Sequence, residues 1–252
     1  MNNQLIFGFK TAISTINVSE KINNPFKSDI PAVAAIAAQE FQQFIIQESQ
    51  NWAHDFYTKK GKMFGVLVVQ KKDKTYGYLA AVSGKLPNNV KCDKLIPSIF
   101  NDSADDFFIN RGMIELTEIG EEIKKSSCQL EINALKKSRK EKSIKLQEQL
   151  FKNYKILNLF GIEKNIIEIF KDSSHGSPPS AAGECAAPKL LHHAFKHQLK
   201  PIALAEFWWG TLSENTGRNH KEFYPACKNK CRPILEYMLD NTELFNVTNS
   251  LI

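Results

Sequence analysis

Several features that would place this 252-residue chain in a special class are missing from its sequence. It has no run of about 18 apolar residues, so we expect neither a transmembrane helix nor a membrane partner. The N-terminus lacks a basic stretch followed by an apolar core, so we expect no secretory signal and a cytoplasmic location. Five cysteines are too few, and odd in number, for a disulfide scaffold, which predicts reduced thiols. The composition, 42% apolar and 24% charged, is that of an ordinary folded domain.

Apolar patterning predicts an α+β body. A helix is expected over Ala32–His54, just after a proline. Two apolar runs of strand length, Met63–Val69 and Tyr76–Ser83, are separated by a polar link and predict an antiparallel hairpin. A helix, a buried strand and a second helix are then predicted at Cys185–His197, Pro201–Trp209 and Pro233–Leu239. We therefore expect a small mixed, or mostly antiparallel, sheet flanked by helices.

A basic helical segment separates these two parts of the chain. Between Glu121 and Lys171 there are twelve Lys or Arg and seven Glu, so this segment holds +5 of the net charge of +6. No Gly or Pro interrupts Glu121–Phe160, which favours one or two long helices, arranged as a hairpin or a coiled coil. The expected units are residues 1–114 (N-terminal helix and hairpin), 115–172 (basic insertion) and 173–252 (completing the same core).

The most cationic stretch, Lys136–Lys145, has two interpretations. Charge runs on helices are usually solvated faces. Clustered cations also gain free energy on nucleic acid by releasing counterions, so the same side chains could contact RNA phosphates. The candidate RNA-binding residues are Lys136, Lys137, Arg139, Lys140, Lys142 and Lys145. An exposed helical arm could instead join two copies of the chain as a homodimer.

Three late cysteines, Cys185, Cys227 and Cys231, are predicted at or beside helix N-termini, where the helix dipole favours a thiolate. The predicted elements follow one another in a definite order. A hairpin comes first, then a helix that begins with Cys, then a strand, and then Pro-Ala-Cys-x3-Cys before another helix. This order resembles the zinc-dependent nucleoside and nucleobase deaminase superfamily. The resemblance implies that the three thiolates bind a zinc ion that activates water.

Two departures from that superfamily leave other interpretations open. Its pattern has a Glu two positions after the first ligand, where this chain has Ala187, and its cysteine pair is Cys-x2-Cys. The nearest acid or base candidates are Glu184 and Glu206. Three buried thiols without metal, or a structural zinc, would fit the same residues. The adjacent Trp208 and Trp209 point to opposite faces of their strand, so one is expected in the core, while the other could stack on a base.

Longer motifs resemble a second family, the long RluA-type RNA pseudouridine synthases. Their N-terminal region is similar to GECAAPKLL at 183–191, LKPIALAEFWWG at 199–210, FYPACKNKCRPIL at 223–235, GKMFGVLVV at 61–69 and GYLAAVSGKL at 77–86. The resemblance covers about residues 5–240. In that family a separate C-terminal domain with an Arg-Leu-Asp motif performs the reaction, and this chain has no Arg-Leu-Asp.

The sequence therefore leaves three functions open. An accessory module, without pseudouridine synthase activity of its own, would bind ribosomal or transfer RNA beside a pseudouridine synthase catalytic domain supplied in trans. A deaminase-like zinc protein, active or inactive, is the first alternative. A protein-interaction scaffold that docks through its long helices is the second.

Overall fold

The computed structural model describes residues 5–52, 56, 61–87, 90–100, 106–171, 173–174, 176–211 and 217–240. These residues form an α+β fold, as the patterning predicted. The elements in chain order are α1 (Ala32–Ser49), β1 (Lys62–Gln70), β2 (Tyr76–Val82), α2 (Asp106–Lys125), α3 (Gln129–Asn153), β3 (Lys155–Leu157), β4 (Glu163–Asn165), α4 (Ile166–Lys171), α5 (Ala186–Lys196), β5 (Lys200–Trp209) and α6 (Arg232–Leu239).

The main sheet has three strands in the order β2-β1-β5. The predicted hairpin is present, with Phe64 opposite Val82 and Gln70 opposite Tyr76. β5 pairs antiparallel with the other edge of β1, from Lys62 opposite Trp209 onward. The main sheet is therefore antiparallel throughout, which is the second of the two expected arrangements, because β5 runs back along β1. β3 and β4 form a separate antiparallel pair.

Helices cover both faces of the main sheet. On one face, α1 packs over alternate strand residues such as Phe64, Val66 and Phe207, all with no exposed surface. On the other face, α5 and α6 cover Leu67 and Leu204. Side chains two positions apart on a strand point to the same face. The residues of β5 that are two positions from Leu204 therefore also lie under α5. The cysteine-bearing helices therefore lie on one side of the sheet.

The basic insertion folds as an antiparallel pair of helices. Arg139 Nε donates to Leu116 O (3.1 Å), Lys142 Nζ lies 3.2 Å from Glu115 Oε2, and the backbone of Gly112 lies against Leu146. Later residues of α2 contact earlier residues of α3, so the two helices run antiparallel and form a hairpin. α2 begins at Asp106 and so crosses the expected boundary at 114/115. The dimer expected through this hairpin stays a prediction.

Within the described part of the chain, no helix is long and apolar enough to cross a membrane.

Candidate metal centre

The three cysteines proposed as metal ligands converge in space. Their Sγ atoms all lie within 4.8 Å of one another, and those of Cys227 and Cys231 are 3.4 Å apart. A zinc ion about 2.3 Å from each thiolate holds neighbouring sulfurs roughly 3.8 Å apart. The cluster formed by Cys185, Cys227 and Cys231 is therefore compact enough to hold a metal ion.

Two helix N-termini meet at this cysteine cluster. Cys185 is the N-cap of α5, and Cys231 is the N-cap of α6, where Pro233 occupies a first-turn position that needs no N–H donor. Cys227 lies directly before the turn at residues 228–230, which leads to Cys231. The positive ends of both helix dipoles and their unpaired N–H groups favour negative charge on the sulfurs.

Gly65 of β1 lets the first turn of α5 approach the sheet. A Cβ at this position would lie 2.9 Å from the Cβ of Ala186 and 3.2 Å from Leu190 Cδ1. Gly65 is paired with Glu206 on β5, so the space that it leaves lies directly beside that carboxylate. A residue without a side chain is therefore what brings α5, and with it Cys185, down onto the strand that carries Glu206.

The sulfurs share protons unequally. Hydrogen bonding with Cys185 and Cys231 holds the pKa of Cys227 far below its usual value. The same hydrogen bonds, together with burial, raise the pKa values of Cys185 and Cys231. The pKa is therefore lowest at Cys227, and a bound cation would replace the protons that the other two sulfurs carry.

Glu206 is the acid or base candidate that the fold brings to the cysteine cluster. Its side chain is 7% exposed, and Oε1 accepts a hydrogen bond of 3.2 Å from the N–H of Ala187. Burial raises the pKa of Glu206 to about 7, and negative charge on Cys227 acts in the same direction. A carboxylate from β5 therefore reaches the backbone of Ala187, the position at which the deaminase pattern carries its Glu.

Glu184, the other acid or base candidate, has a different environment. Its Oε1 accepts hydrogen bonds from the hydroxyls of Ser98 and Tyr154, and Oε2 lies 3.0 Å from Lys189 Nζ. Burial would raise the pKa of Glu184, but the positive charge of Lys189 and the two hydroxyl donors together lower it. Glu184 therefore stays ionised beside Lys189, so its role is to hold the start of α5 rather than to transfer protons.

Neither tryptophan offers an open face to a base. Trp208 is 7% exposed and Trp209 is 1% exposed. The indole N–H of Trp208 donates to Thr211 O (2.6 Å), and the ring lies against Gly61, where an added Cβ would be 2.8 Å from the indole. The expected stacking on a base therefore stays a prediction, and it would require the contacts of Gly61 and Thr211 with the Trp208 ring to open.

The six candidate RNA-binding residues are all exposed on α3. Lys142 is paired with Glu115, and Arg139 bonds to Leu116 O. The remaining four make no ion pair with any described residue; they are Lys136, Lys137, Lys140 and Lys145. A helix turns about 100° per residue, which places these four within one half of the circumference, opposite the side that faces α2. We call this half the cationic face of α3.

Comparisons with family models, with curated proteins and with solved structures find no match for this chain. A fold by itself does not fix a function, so the function is inferred from the chemistry of the site.

Proposed function

We propose that this protein is a zinc-dependent hydrolytic enzyme of the deaminase type. The observation that supports it most is the meeting of three cysteine sulfurs within 4.8 Å beside the buried carboxyl of Glu206. The order of the elements supports it as well. The hairpin, the helix capped by Cys185, β5 and the helix capped by Cys231 follow one another in the order on which the resemblance to the deaminase superfamily rests.

The composition of the ligand set favours a catalytic site over a structural one. Among the residues that the structure describes, no fourth His, Cys, Asp or Glu joins the three cysteines. Structural zinc sites are usually closed by four protein ligands, whereas catalytic sites leave one position for water or substrate. When bound, zinc would supply an activated water whose pKa is about 7.

Glu206 is the residue we assign to proton transfer. A general acid or base works best when its pKa is close to the working pH, and burial raises the pKa of Glu206 to about 7. Its hydrogen bond to the N–H of Ala187 fixes the carboxyl at the N-terminus of α5, one turn from Cys185. Glu206 can therefore take a proton from the activated water beside the cysteine cluster and return it to a leaving amine.

The first experiment measures zinc in protein purified without chelators. We expect one zinc ion per chain, and its loss in Cys227→Ser, because that residue is the shared thiolate of the cluster. Cys92→Ser is the matched control, since Cys92 is also a half-buried free thiol but lies outside the group. Wild-type protein that is folded and takes up no zinc on titration would exclude the proposal.

The second experiment separates metal binding from catalysis. Ammonia release is followed with cytosine- and adenine-containing nucleosides, nucleotides and single-stranded RNA. Glu206→Gln keeps the shape of the side chain, so we expect it to retain zinc and to lower turnover by about 10²–10⁴-fold. Equal turnover in Glu206→Gln and wild type would remove Glu206 from the mechanism.

RNA binding through the cationic face of α3 is a second function that a specific observation favours. Four exposed lysines there have no carboxylate partner among the described residues, so they are available to phosphates. The resemblance to RluA-type synthases adds a catalytic domain in trans as the expected partner. The module would then hold ribosomal or transfer RNA for that domain.

Salt dependence tests the RNA proposal. Replacing Lys136, Lys137, Lys140 and Lys145 with Gln should lower the slope of log affinity against log salt by about 3 on single-stranded RNA. Among single variants, Lys140→Gln should weaken binding more than Lys142→Gln, because Lys142 is already paired with Glu115. No binding by wild type at low salt would rule this function out.

A further inference from the structure

Arg218 lies in an unusual setting, close enough to Glu206 to act on its carboxyl electrostatically. Its guanidinium lies over two aromatic rings, 5.9 Å from the centroid of Trp208 and 5.5 Å from that of Tyr224. Such cation–π contacts hold a guanidinium in place without occupying its N–H donors. The side chain is half-buried rather than free in solvent.

Both rings beneath Arg218 are themselves fixed. Trp208 is buried and donates its indole N–H to Thr211 O. The hydroxyl of Tyr224 donates to Glu222 Oε2 (2.9 Å) and accepts from the N–H of Asn219 (2.7 Å). The guanidinium is therefore presented at a defined position, so little conformational entropy would be lost when a ligand binds to it.

Within the described part of the chain, the guanidinium of Arg218 has no hydrogen-bond acceptor. A guanidinium carries five N–H donors, and no described residue forms a hydrogen bond or ion pair with those of Arg218. The other three arginines each have one: Arg111 pairs with Glu115, Arg139 bonds to Leu116 O, and Arg232 pairs with Glu236. Arg232 is the closest parallel, because its guanidinium also lies over a ring, that of Phe26 at 5.5 Å.

Arg218 is connected to the proposed catalytic carboxyl through both of its platforms. Trp208 is two residues from Glu206 on β5, so the two side chains share a face of the sheet. Tyr224 donates its backbone N–H to Glu206 O (2.9 Å). The positive charge of Arg218 also acts to lower the pKa of Glu206, against the effect of burial. The unsatisfied guanidinium therefore lies within electrostatic range of the metal centre.

We propose that Arg218 binds an oxyanion of the substrate, a phosphate or a carboxylate, beside the cysteine cluster. The planar guanidinium fork matches both groups and can donate two parallel hydrogen bonds to either. That the ligand is a substrate rests on the proposed function, whereas anion binding at Arg218 does not. The inference narrows the substrate class to molecules that carry such a group near the bond that is hydrolysed.

The test is a titration with inorganic phosphate and, separately, with acetate at constant ionic strength. Binding is followed by Trp emission, which reports on Trp208, and by the Nε–H signal of Arg218 in the ¹⁵N-labelled chain. We expect saturable binding that Arg218→Gln weakens by about 10-fold or more, since hydrogen bonds to charged groups contribute roughly 1.5–3 kcal/mol. Arg232→Gln is the matched control and should bind within about twofold of wild type, because Arg232 already has Glu236.

Arg218→Lys keeps the charge and loses the fork, so it should bind with intermediate affinity. If phosphate binds more tightly than acetate, the group of the substrate that Arg218 binds is a phosphate. If acetate binds more tightly than phosphate, that group is a carboxylate. Unchanged affinity in Arg218→Gln, or no saturable binding of either anion, would overturn the inference.

Running the titration on zinc-free and zinc-loaded protein separates the two proposals. Anion binding that needs Arg218 but persists without zinc supports this inference even if the metal centre fails its own test. A chain that binds zinc but shows no effect of Arg218→Gln refutes the anion site and leaves the metal centre intact.

Discussion

Glu184 and Glu206 show how environment gives one residue type two roles. Both carboxyls are largely buried. Glu184 bonds to Lys189 and Glu206 bonds to Ala187, and both of these residues lie near the start of α5. Glu184 faces a lysine and two hydroxyl donors, which lower its pKa. Glu206 has one backbone donor and lies near a thiolate, and its pKa is raised to about 7. The first is thus a fixed anion that anchors the helix, and the second can change protonation near neutral pH.

Lys189, the buried partner of Glu184, allows us to predict how much its loss would lower the free energy of unfolding. Lys189 is 3% exposed and also donates to Val82 O and Gly84 O. Lys189→Met would leave Glu184 as a buried, unpaired charge, so we expect the free energy of unfolding to fall by about 3–5 kcal/mol. The measurement is urea denaturation followed by circular dichroism.

Lys124→Met provides the comparison for that measurement. Lys124 pairs with Glu121 at 2.7 Å, but both side chains are more than half exposed. Exposed pairs contribute at most about 1 kcal/mol, so this variant should unfold close to wild type. Similar losses in the two variants would mean that the Glu184–Lys189 pair is not the anchor described here.

Gly65 gives a second expectation for a single residue. Gly65→Val would force side-chain atoms into space occupied by Ala186 and Leu190, so we expect a loss of about 1–3 kcal/mol and weaker zinc binding. Gly120→Ala is the control, because a Cβ there has only Arg139 Nε nearby, at 3.8 Å. That variant should be neutral or slightly stabilised. Zinc binding by Gly65→Val equal to that of wild type would show that α5 can move away without opening the cluster.

The cysteines of this site could be identified from the sequence, and its other residues could not. Patterning alone placed the three cysteines at or beside helix N-termini, and the structure has Cys185 and Cys231 as the N-caps of α5 and α6. Glu206 was only a candidate, because its approach to Ala187 depends on the pairing of β5 with β1 and on the packing of α5. Arg218 was missed, since a lone Arg in a loop carries no sequence signal.

At the scale of elements, α5 connects the metal centre to the β3–β4 pair. His192 on α5 accepts a hydrogen bond of 3.2 Å at Nδ1 from the N–H of Leu157 on β3. Burial lowers the pKa of His192 to about 4, and the positive charge of Lys196 acts in the same direction. The folded protein therefore prefers neutral His192, which can accept this bond.

This preference makes stability depend on pH in a defined direction. The usual pKa of a histidine is 6.5, so between about 4 and 6.5 the unfolded chain binds more protons than the folded one. The contribution of His192 is present above pH 6.5 and is lost as the pH falls toward 4. We expect the stability difference between wild type and His192→Gln to shrink over that range, measured by urea denaturation at each pH.

Taking the difference cancels the opposite trend of Glu206. That carboxyl has a raised pKa, so its contribution is greatest below its usual pKa and decreases as the pH rises through about 7. A wild-type profile alone would mix the two effects. A pH-independent difference between wild type and His192→Gln would contradict the account of the α5–β3 contact.

Long apolar segments were predicted well, and short or polar ones were not. The hairpin, α5, β5 and α6 lie within about one residue of their predicted bounds, because strand alternation and helix-breaking residues mark their ends. α1 ends at Ser49 rather than continuing to His54, and residues 53–55 lie outside the described part of the chain. β3, β4 and α4 were missed because segments of three to six residues carry too little periodicity.

At the scale of the whole molecule, the cysteine cluster joins distant parts of the chain. Cys185 follows the basic insertion, whereas Cys227 and Cys231 come after β5. Ala226, next to Cys227, donates its N–H to Pro25 O near the N-terminus (2.8 Å). A metal bound here would therefore link two segments, the start of α5 and the stretch after β5, and the second of these is also hydrogen-bonded to the N-terminal stretch.

Such a metal should raise the stability of the whole fold. At a free zinc concentration of about 100 times Kd, linkage adds about 2.7 kcal/mol, which corresponds to roughly 5–10 °C in Tm for a chain of this size. We expect a chelator to lower Tm by that amount in wild type and to have no effect on Cys185→Ser. The measurement is differential scanning calorimetry with and without zinc.

The position of β1 at the centre of the sheet has a consequence for synthesis. One edge of β1 pairs at once with β2, but the other must wait for β5, whose Lys200 pairs with Gln70. At ribosomal speeds of about 5–20 residues per second, that edge stays open for roughly 7–26 seconds. Nascent chains stalled before Lys200 should therefore be sensitive to protease and bind chaperones, whereas those stalled well past Trp209 should resist digestion.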